Sequence, residues 1–491
     1  MAPAACTASR GSAYLKKQTT MSSQDQQSFR DSIGTIRADG KRNWIYPKKP
    51  KGRYYTYRTI LSIILLAIFF VLPFIKVNGE QYFLIDILNR KFHIFGRPFY
   101  PQDFYLLAIG GVTTVLFIVL FTVVYGRIWC GWLCPQTIFM EMVFRKIEYA
   151  IEGDRPQQMK LDRMPWNAEK IRKKVTKWLI FFLVSVLITS TMWAYVAGSD
   201  YVIAFWKNPL ARPNVLLIYL AFTLVFYFVY AWFREQVCII VCPYGRLQGV
   251  LTDENTILVT YDYKRGEKRG PLRKGQDRAA LGLGDCIDCK QCVHVCPTGI
   301  DIRNGTQMEC INCTACMDAC DAVMDKIGKP RGLIRYASKV SIETGTKKLF
   351  TPRVKFYTAI LAILFGVLVY LIVSRPAVQI KVQRQRGLVF TELPNGKIEN
   401  IYEATFINKS GKPLQNLHVK LIEPQGIHAA LRLAGEEDAL NLKREDVKQM
   451  MLFIDIPREE VRGKTPIKIG VFDETGKKLD DYDTYFIAPV Q

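Results

Sequence analysis

The stretch "DCIDCKQCVHVCPTGIDIRNGTQMECINCTACMDACD", from Asp285 to Asp321, decides how the rest of this chain is read. Cys286, Cys289 and Cys292 are each separated by two residues, and Cys296 follows after three more, just before Pro297. Cys310, Cys313, Cys316 and Cys320 repeat the rhythm. Two runs of C-x2-C-x2-C-x3-C are the pattern of two [4Fe–4S] clusters. A short loop lets three thiolates clasp three corners of one cube, and the fourth reaches the other cube. The spacing therefore assigns Cys286, Cys289, Cys292 and Cys320 to one cluster, and Cys310, Cys313, Cys316 and Cys296 to the other. Tetrahedral zinc needs four ligands but not this rhythm. Disulfides do not suit a reducing compartment. His294, at a variable position inside the motif, reads as a loop residue rather than a ligand.

Outward from this segment the chain turns apolar. Five runs, Ile60 to Ile75, Phe104 to Tyr125, Trp178 to Gly198, Val215 to Phe233 and Val354 to Ser374, are close to twenty residues long. Each can cross, or nearly cross, a hydrocarbon layer of about 30 Å. The first is the shortest, and Pro73 near its end does not forbid a span. Lys and Arg concentrate before Ile60, between Gly126 and Lys177, and between Arg234 and Arg353. The positive-inside rule then puts the N-terminus and the cysteine-rich loop in the cytoplasm and the segment after Arg375 in the periplasm of an inner-membrane, multi-pass protein. This asymmetry accounts for the net charge of +23 without nucleic acid as a partner. No cleavable signal peptide is expected. Residues before about Arg37 read as disordered, Cys6 has no assigned role, and Met21 is an alternative start.

Two further thiol pairs sit at the ends of apolar runs: "CGWLCP", Cys130 to Pro135, and "CIIVCP", Cys238 to Pro243. Each prolines the start of a new helix, and each pair follows an arginine, Arg127 or Arg234. The blocks read as a degenerate internal repeat. Packed side by side, Cys130, Cys134, Cys238 and Cys242 would converge at the membrane face, with the cations favouring thiolate. Such a set suits Cu(I), a further cluster or a dithiol–disulfide couple; the plainer alternative is buried cysteines packing as small hydrophobes.

After Pro376 the pattern becomes alternating: "VQIKVQRQ", "IYEATFINK", "LHVKLIEP", "QMMLFIDI", "TPIKIGVF" and "YDTYFIAP", broken by "PNGK", "KSGKP" and "DETGKK". Six or seven strands point to an immunoglobulin-like β-sandwich. It has no cysteine; His418 and His428 are considered as copper ligands, with ordinary packed or exposed histidines favoured.

The expected architecture is an integral membrane α-helical protein with an inserted bacterial-type 2[4Fe–4S] ferredoxin domain and that sandwich. Its expected parts are 1–57 (cytoplasmic segment), 58–250 (four-helix membrane domain), 251–353 (ferredoxin domain), 354–375 (fifth span) and 376–491 (periplasmic immunoglobulin-like domain).

"RIWCGWLCPQ", "CPYGRLQGVLTDENTILVTYD", "RGEKRG", the cysteine-rich segment and "KPRGLIRYAS" resemble the accessory proteins of cbb3-type cytochrome c oxidase, the CcoG/FixG/RdxA family. The resemblance runs from about Ser28 into the final domain. It implies a membrane-bound polyferredoxin whose two cubes lie close enough for fast electron tunnelling. It further implies an oxidoreductase that reduces Cu(II) to Cu(I) for the oxidase. The partners are then the oxidase or its copper-assembly factors, with an unidentified electron donor. On that reading the cluster ligands are the eight cysteines above, and Cys130, Cys134, Cys238 and Cys242 match the paired motifs, with copper as their candidate ligand. Two other readings stand beside it. A quinol-oxidising relay would need proton acceptors, for which Glu141, Glu148 and Glu235 are placed. A redox sensor or assembly scaffold would turn over no substrate. No strand–GxGxxG–helix context for a nucleotide or flavin is present.

Overall fold

A computed structural model describes residues 42–489, apart from 78, 87–90, 101–102, 274–276, 279, 347–348, 386, 388, 395, 425, 436–438 and 445. The expectations for the N-terminal residues, Cys6 and Met21 included, lie outside the described residues.

Among the described residues, five helices are long and apolar enough to cross a membrane. They are α1 (Arg53–Val71), α2 (Phe104–Tyr125), α3 (Ala168–Ala197), α4 (Pro213–Phe228) and α5 (Pro352–Val373). The protein is therefore a membrane protein. α1 starts well before its apolar run, because nothing after Gly52 interrupts helical geometry, and it ends in the 3-10 turn Leu72–Phe74 around Pro73. α3, with 30 residues, is about 45 Å long, so its basic first turns extend past the hydrocarbon layer.

The chain divides into two compact units. One holds residues up to Ile68, Thr114–Thr189 and Leu210–Leu361. In it, α3 presents Phe181, Ser185, Ile188 and Thr189, all buried at helical spacing. Thr189 shares a 3.0 Å hydroxyl contact with Thr223 of α4, and Tyr219 donates to the Val186 carbonyl. Such polar contacts are a usual link between helices where lipid offers no hydrophobic drive. The ferredoxin segment closes on itself through β1 (Leu258–Tyr261) and β2 (Ile334–Ala337), antiparallel with Leu258 opposite Ala337.

The second unit comprises Phe69–Thr113, Ser190–Pro209 and Ala362–Gln491. Its sandwich strands are β3 (Val378–Arg384), β4 (Lys397–Asn408), β5 (Leu414–Glu423), β6 (Ala430–Leu433), β7 (Leu440–Leu442), β8 (Val447–Pro457), β9 (Lys464–Phe472) and β10 (Lys478–Ile487). One sheet runs β6-β8-β4-β3, with the short Thr391–Glu392 strand also on β4; the other runs β7-β5-β9-β10. This exceeds the six or seven strands expected. The additional strands, such as Leu440–Leu442, are too short to show alternation in sequence. Inward residues Ile380, Tyr402, Phe406, Ile454, Ile469 and Phe486 form a dry core. Below it Asp103, 2% exposed, binds Arg375 at 2.6 Å and Lys409 at 2.5 Å. The charge of one buried carboxylate thus ties the end of α5 and the β4–β5 turn to the start of α2.

Candidate functional site

The two cysteine runs line two separate cavities of the first unit. One cavity is bordered by Cys286, Cys289, Cys292 and Cys320, with Tyr261, Met324 and Leu333 among its apolar walls. A second is bordered by Cys296, Cys310, Cys313 and Cys316, with Ile300, Ile302 and Ile311. Cys292 lines both, so the cavities adjoin. The first is lined by four thiols and the second by five, Cys292 being shared, on mainly apolar walls, a donor set that fits thiolate-ligated iron–sulfur cubes.

The backbone repeats as well. Asp288 and Lys290 flank Cys289 with φ of 51° and 55°, and Asn312 and Thr314 flank Cys313 with 52° and 64°. Asp and Asn enter the left-handed region more readily than most residues, whereas for Lys290 and Thr314 it is uncommon and holds where the surroundings over-determine it. Alternating right- and left-handed residues turn successive N–H groups towards a common centre, a concavity suited to anions and to iron–sulfur sites. No three His, Cys, Asp or Glu side chains among the described residues converge on a single ion. His428 is paired with Glu460 at 2.8 Å.

The edge thiols occupy matched local structures. Cys130 lies in the short helix Ile128–Trp132, and Cys134 is the extended N-cap of Pro135–Ile138. Cys238 lies in the π-helical turn Val237–Val241, and Cys242 is the extended N-cap of Pro243–Leu251. Neither pair therefore shares one helix: proline at the first helical position breaks it at the second cysteine. Two bonds cross between the blocks. Arg127 donates through Nη2 to the Gly245 carbonyl, and Tyr230 donates to Gln136 at 2.6 Å. The four thiols are near enough that Cys134, Cys238 and Cys242 each act electrostatically on Cys130. Burial dominates at this site. It pushes the Cys130 and Cys238 thiols up to about 12, against the pull of Arg127. The expectation that the cations favour thiolate is thus corrected: without a bound metal, desolvation of the anion outweighs the guanidinium.

Cys130 packs against the cluster of Val295, Ile311, Cys313 and Ala315, of which Ile311 and Cys313 line the second cavity. The approach depends on Gly131, whose added Cβ would lie 2.4 Å from the Ile311 carbonyl oxygen. Trp132 Nε1 and the Tyr336 hydroxyl both donate to the Asn312 carbonyl, at 3.3 and 3.4 Å. Asn312 Oδ1 in turn accepts from the Val259 amide. Sequence reasoning missed Gly131, Trp132, Asn312 and Tyr336. It missed Arg58 too, which is buried and donates from Nε to the Gly131 carbonyl at 2.6 Å. Its one available signal was an ionisable residue near the start of an apolar helix.

The two repeat arginines differ in function. Arg127 faces the thiols, whereas Arg234 grips Glu148 with both nitrogens, at 3.1 and 2.8 Å. Lys177 lies 3.3 Å from Glu148 and 2.7 Å from Glu152. Arg145 pairs with Glu141 at 3.0 Å, and Arg42 with Glu235 at 2.8 Å. Burial would raise the Glu148 carboxyl, but Arg234, Lys177 and Arg145 outweigh it and hold it at about 2. The three carboxylates considered as quinol proton acceptors are thus committed to ion pairs. His294 borders another cleft, with Trp44, Tyr46, Arg155 and Cys296 among its walls.

A five-helix membrane segment, an inserted cluster-binding loop and a terminal sandwich define the class: a membrane-bound polyferredoxin. Family models agree segment by segment. A 4Fe–4S binding domain matches residues 107–151, a 4Fe–4S dicluster domain residues 233–339, and the Ig-like fold at the C-terminus of FixG residues 368–489. The chain is 37% identical to the protein RdxA of Cereibacter sphaeroides, over 75% of this chain and 80% of that one. It is 32% identical to the nitrogen fixation protein FixG of Rhizobium meliloti, over 91% and 93%. A crystal structure of a FixG-related protein from Vibrio parahaemolyticus matches at 17% identity and a TM-score of 0.19, over 23% of this chain and 97% of its own. The chain belongs to the FixG/RdxA family and is an iron–sulfur protein of the membrane.

Proposed function

We propose that this protein carries single electrons through two [4Fe–4S] clusters to Cu(II), which is reduced to Cu(I) at the four edge thiols in support of cbb3-type oxidase assembly. The observation that carries the reading is the packing of Cys130 against the wall of the second cysteine-lined cavity. The ligands are Cys286, Cys289, Cys292 and Cys320 for the first cluster, and Cys310, Cys313, Cys316 and Cys296 for the second. The clusters supply one-electron transfer, which matches the one-electron change of copper. The chain's own residues hold them in apolar cavities and bring the Cys130 block against them. Exposed Cys289 marks the first cavity as the side facing the electron donor. Cys130, Cys134, Cys238 and Cys242 are the exit, where soft sulfur favours Cu(I) over Cu(II) and so assists the reduction.

The N-terminus and the ferredoxin segment face the cytoplasm, and the sandwich faces the periplasm as a docking surface for the oxidase or a copper-assembly factor. Reporter fusions after α4 and after α5 test this orientation by opposite compartment signals. A quinol relay is less favoured because Glu141, Glu148 and Glu235 are held in ion pairs.

The test reduces the anaerobically purified protein, adds one equivalent of Cu(II), and follows cluster reoxidation beside chelator-trapped Cu(I). Copper-dependent reoxidation is expected, and it is lost when the four edge cysteines become Ala while the ferredoxin clusters remain. Clusters that ignore copper in the unaltered protein would refute the reading.

A further inference from the structure

Five arginines are buried among the described residues: Arg58, Arg127, Arg145, Arg234 and Arg303. Arg145, Arg234 and Arg303 each pair with a carboxylate. Arg58 and Arg127, 3% and 4% exposed, have no such pair among the described residues. Among the described residues, Arg58 Nη2 and Arg127 Nε also have no hydrogen-bond partner. Each spends one nitrogen on a carbonyl at the edge of a thiol block, Gly131 for Arg58 and Gly245 for Arg127. A buried guanidinium without an anion is costly. Arg127 acts electrostatically on the Cys130, Cys310 and Cys238 sulfurs and on the Tyr244 hydroxyl, and Arg58 acts on the Cys313 sulfur, which the Glu141 carboxylate also reaches.

The cysteine inventory points the same way. The dicluster match at 233–339 spans ten cysteines. Eight follow the ferredoxin rhythm, which leaves Cys238 and Cys242. The separate 4Fe–4S binding match at 107–151 contains only Cys130 and Cys134, half of what a cube requires. The Arg127–Gly245 and Tyr230–Gln136 bonds bring these two incomplete halves together.

We propose that Cys130, Cys134, Cys238 and Cys242 together hold a third [4Fe–4S] cluster, with Arg127 and Arg58 as its counter-charges. Four thiolates around a doubly positive cube leave a dianion, which two guanidiniums neutralise. Arg58 and Arg127 each bond a carbonyl of a thiol block, so their charges raise the potential of the last carrier. The proposal rests on the edge thiols being the electron exit, and replaces direct copper ligation by them: the four sulfurs hold a resident cluster, and Cu(II) takes its electron from that cluster without being bound by those sulfurs. It differs from a single Cu(I) ion bound by the same sulfurs.

The experiment measures iron and acid-labile sulfide per chain in the full-length protein, purified and reconstituted anaerobically. The expected content is about twelve of each rather than about eight. In the Cys134→Ala/Cys242→Ala double variant it falls by about four, one paramagnetic signal disappears on reduction, and the ferredoxin signals persist as proof of folding. Arg127→Gln retains all the iron and shifts to lower potential the signal that the double variant lacks. About eight irons in the unaltered protein, or a double variant with unchanged iron, overturns the third cluster. The copper assay fails or succeeds separately. Eight irons with rapid Cu(II) reduction removes only the third cluster, and twelve irons without it removes only the copper reading.

Discussion

Glu148 is the centre of the ion-pair lattice beside the edge thiols, and replacing it with Gln tests how that lattice is balanced. Glu148 is 3% exposed and holds Arg234 through two bonds of 2.8 and 3.1 Å, with Lys177 at 3.3 Å. At an effective dielectric of about 20, opposite charges about 3 Å apart attract by roughly 5 kcal/mol. Gln keeps one acceptor for Arg234, and the Trp44 ring still lies 4.6 Å from that guanidinium. The loss should therefore fall near the lower part of the roughly 3–5 kcal/mol range for a broken buried pair. With about 2–4 °C per kcal/mol, the apparent melting midpoint drops by about 10 °C. Tryptophan fluorescence of the cluster-loaded protein in detergent reads it. The pH dependence gives a second check. The Glu148 carboxyl is depressed to about 2 from an ordinary value of 4.5. Its contribution is therefore complete above 4.5 and disappears as pH falls towards 2. The gap between Glu148→Gln and the unaltered protein should narrow over that window. A variant melting within about 1 °C at neutral pH, or a gap that widens on acidification, would refute the assignment of net stabilisation to this carboxylate.

Other expectations rest on single contacts. Asp103→Asn strands Arg375 and Lys409 without their shared anion and should cost about 3–5 kcal/mol; limited proteolysis of the intact protein should then release the sandwich sooner. Gly131→Ala drives a methyl group to 2.4 Å from the Ile311 oxygen. It should slow copper-dependent reoxidation while the ferredoxin iron stays bound, and unchanged rates would show that this approach does not matter. Cys289→Ser alters the exposed member of the first set. It should perturb or abolish that cluster's paramagnetic signal alone, and loss of the signal from the other set instead would reverse the ligand assignment.

The features that local spacing can encode were legible in the sequence. The rhythm from Cys286 to Cys320, the five apolar runs and the alternation of the longer sandwich strands each lie within one continuous stretch. The membrane class, the family and the immunoglobulin-like end follow from them. What escaped depends on partners far apart in the chain. Arg127 and Arg234 occupy similar places in their blocks, yet one faces sulfur and the other a carboxylate 86 residues away. Arg58 lies among other basic residues just before the first apolar run, but its carbonyl partner lies 73 positions on. Its neighbours gave no local sign of that burial. The direction of the thiol shift also eluded sequence, because nearby arginines are visible there and desolvation is not.

The β1–β2 ladder has a further consequence. The chain leaves the membrane segment at Leu258 and returns opposite it at Ala337, so the cluster-bearing stretch begins and finishes at nearly one point. The entropy of closing such a bight grows only slowly with its length. A segment tethered in this way can be enlarged, shortened or exchanged for another carrier without rethreading the helices on either side. The ferredoxin portion is therefore modular: its ladder is a splice point at which electron-transfer capacity can be added to a membrane scaffold.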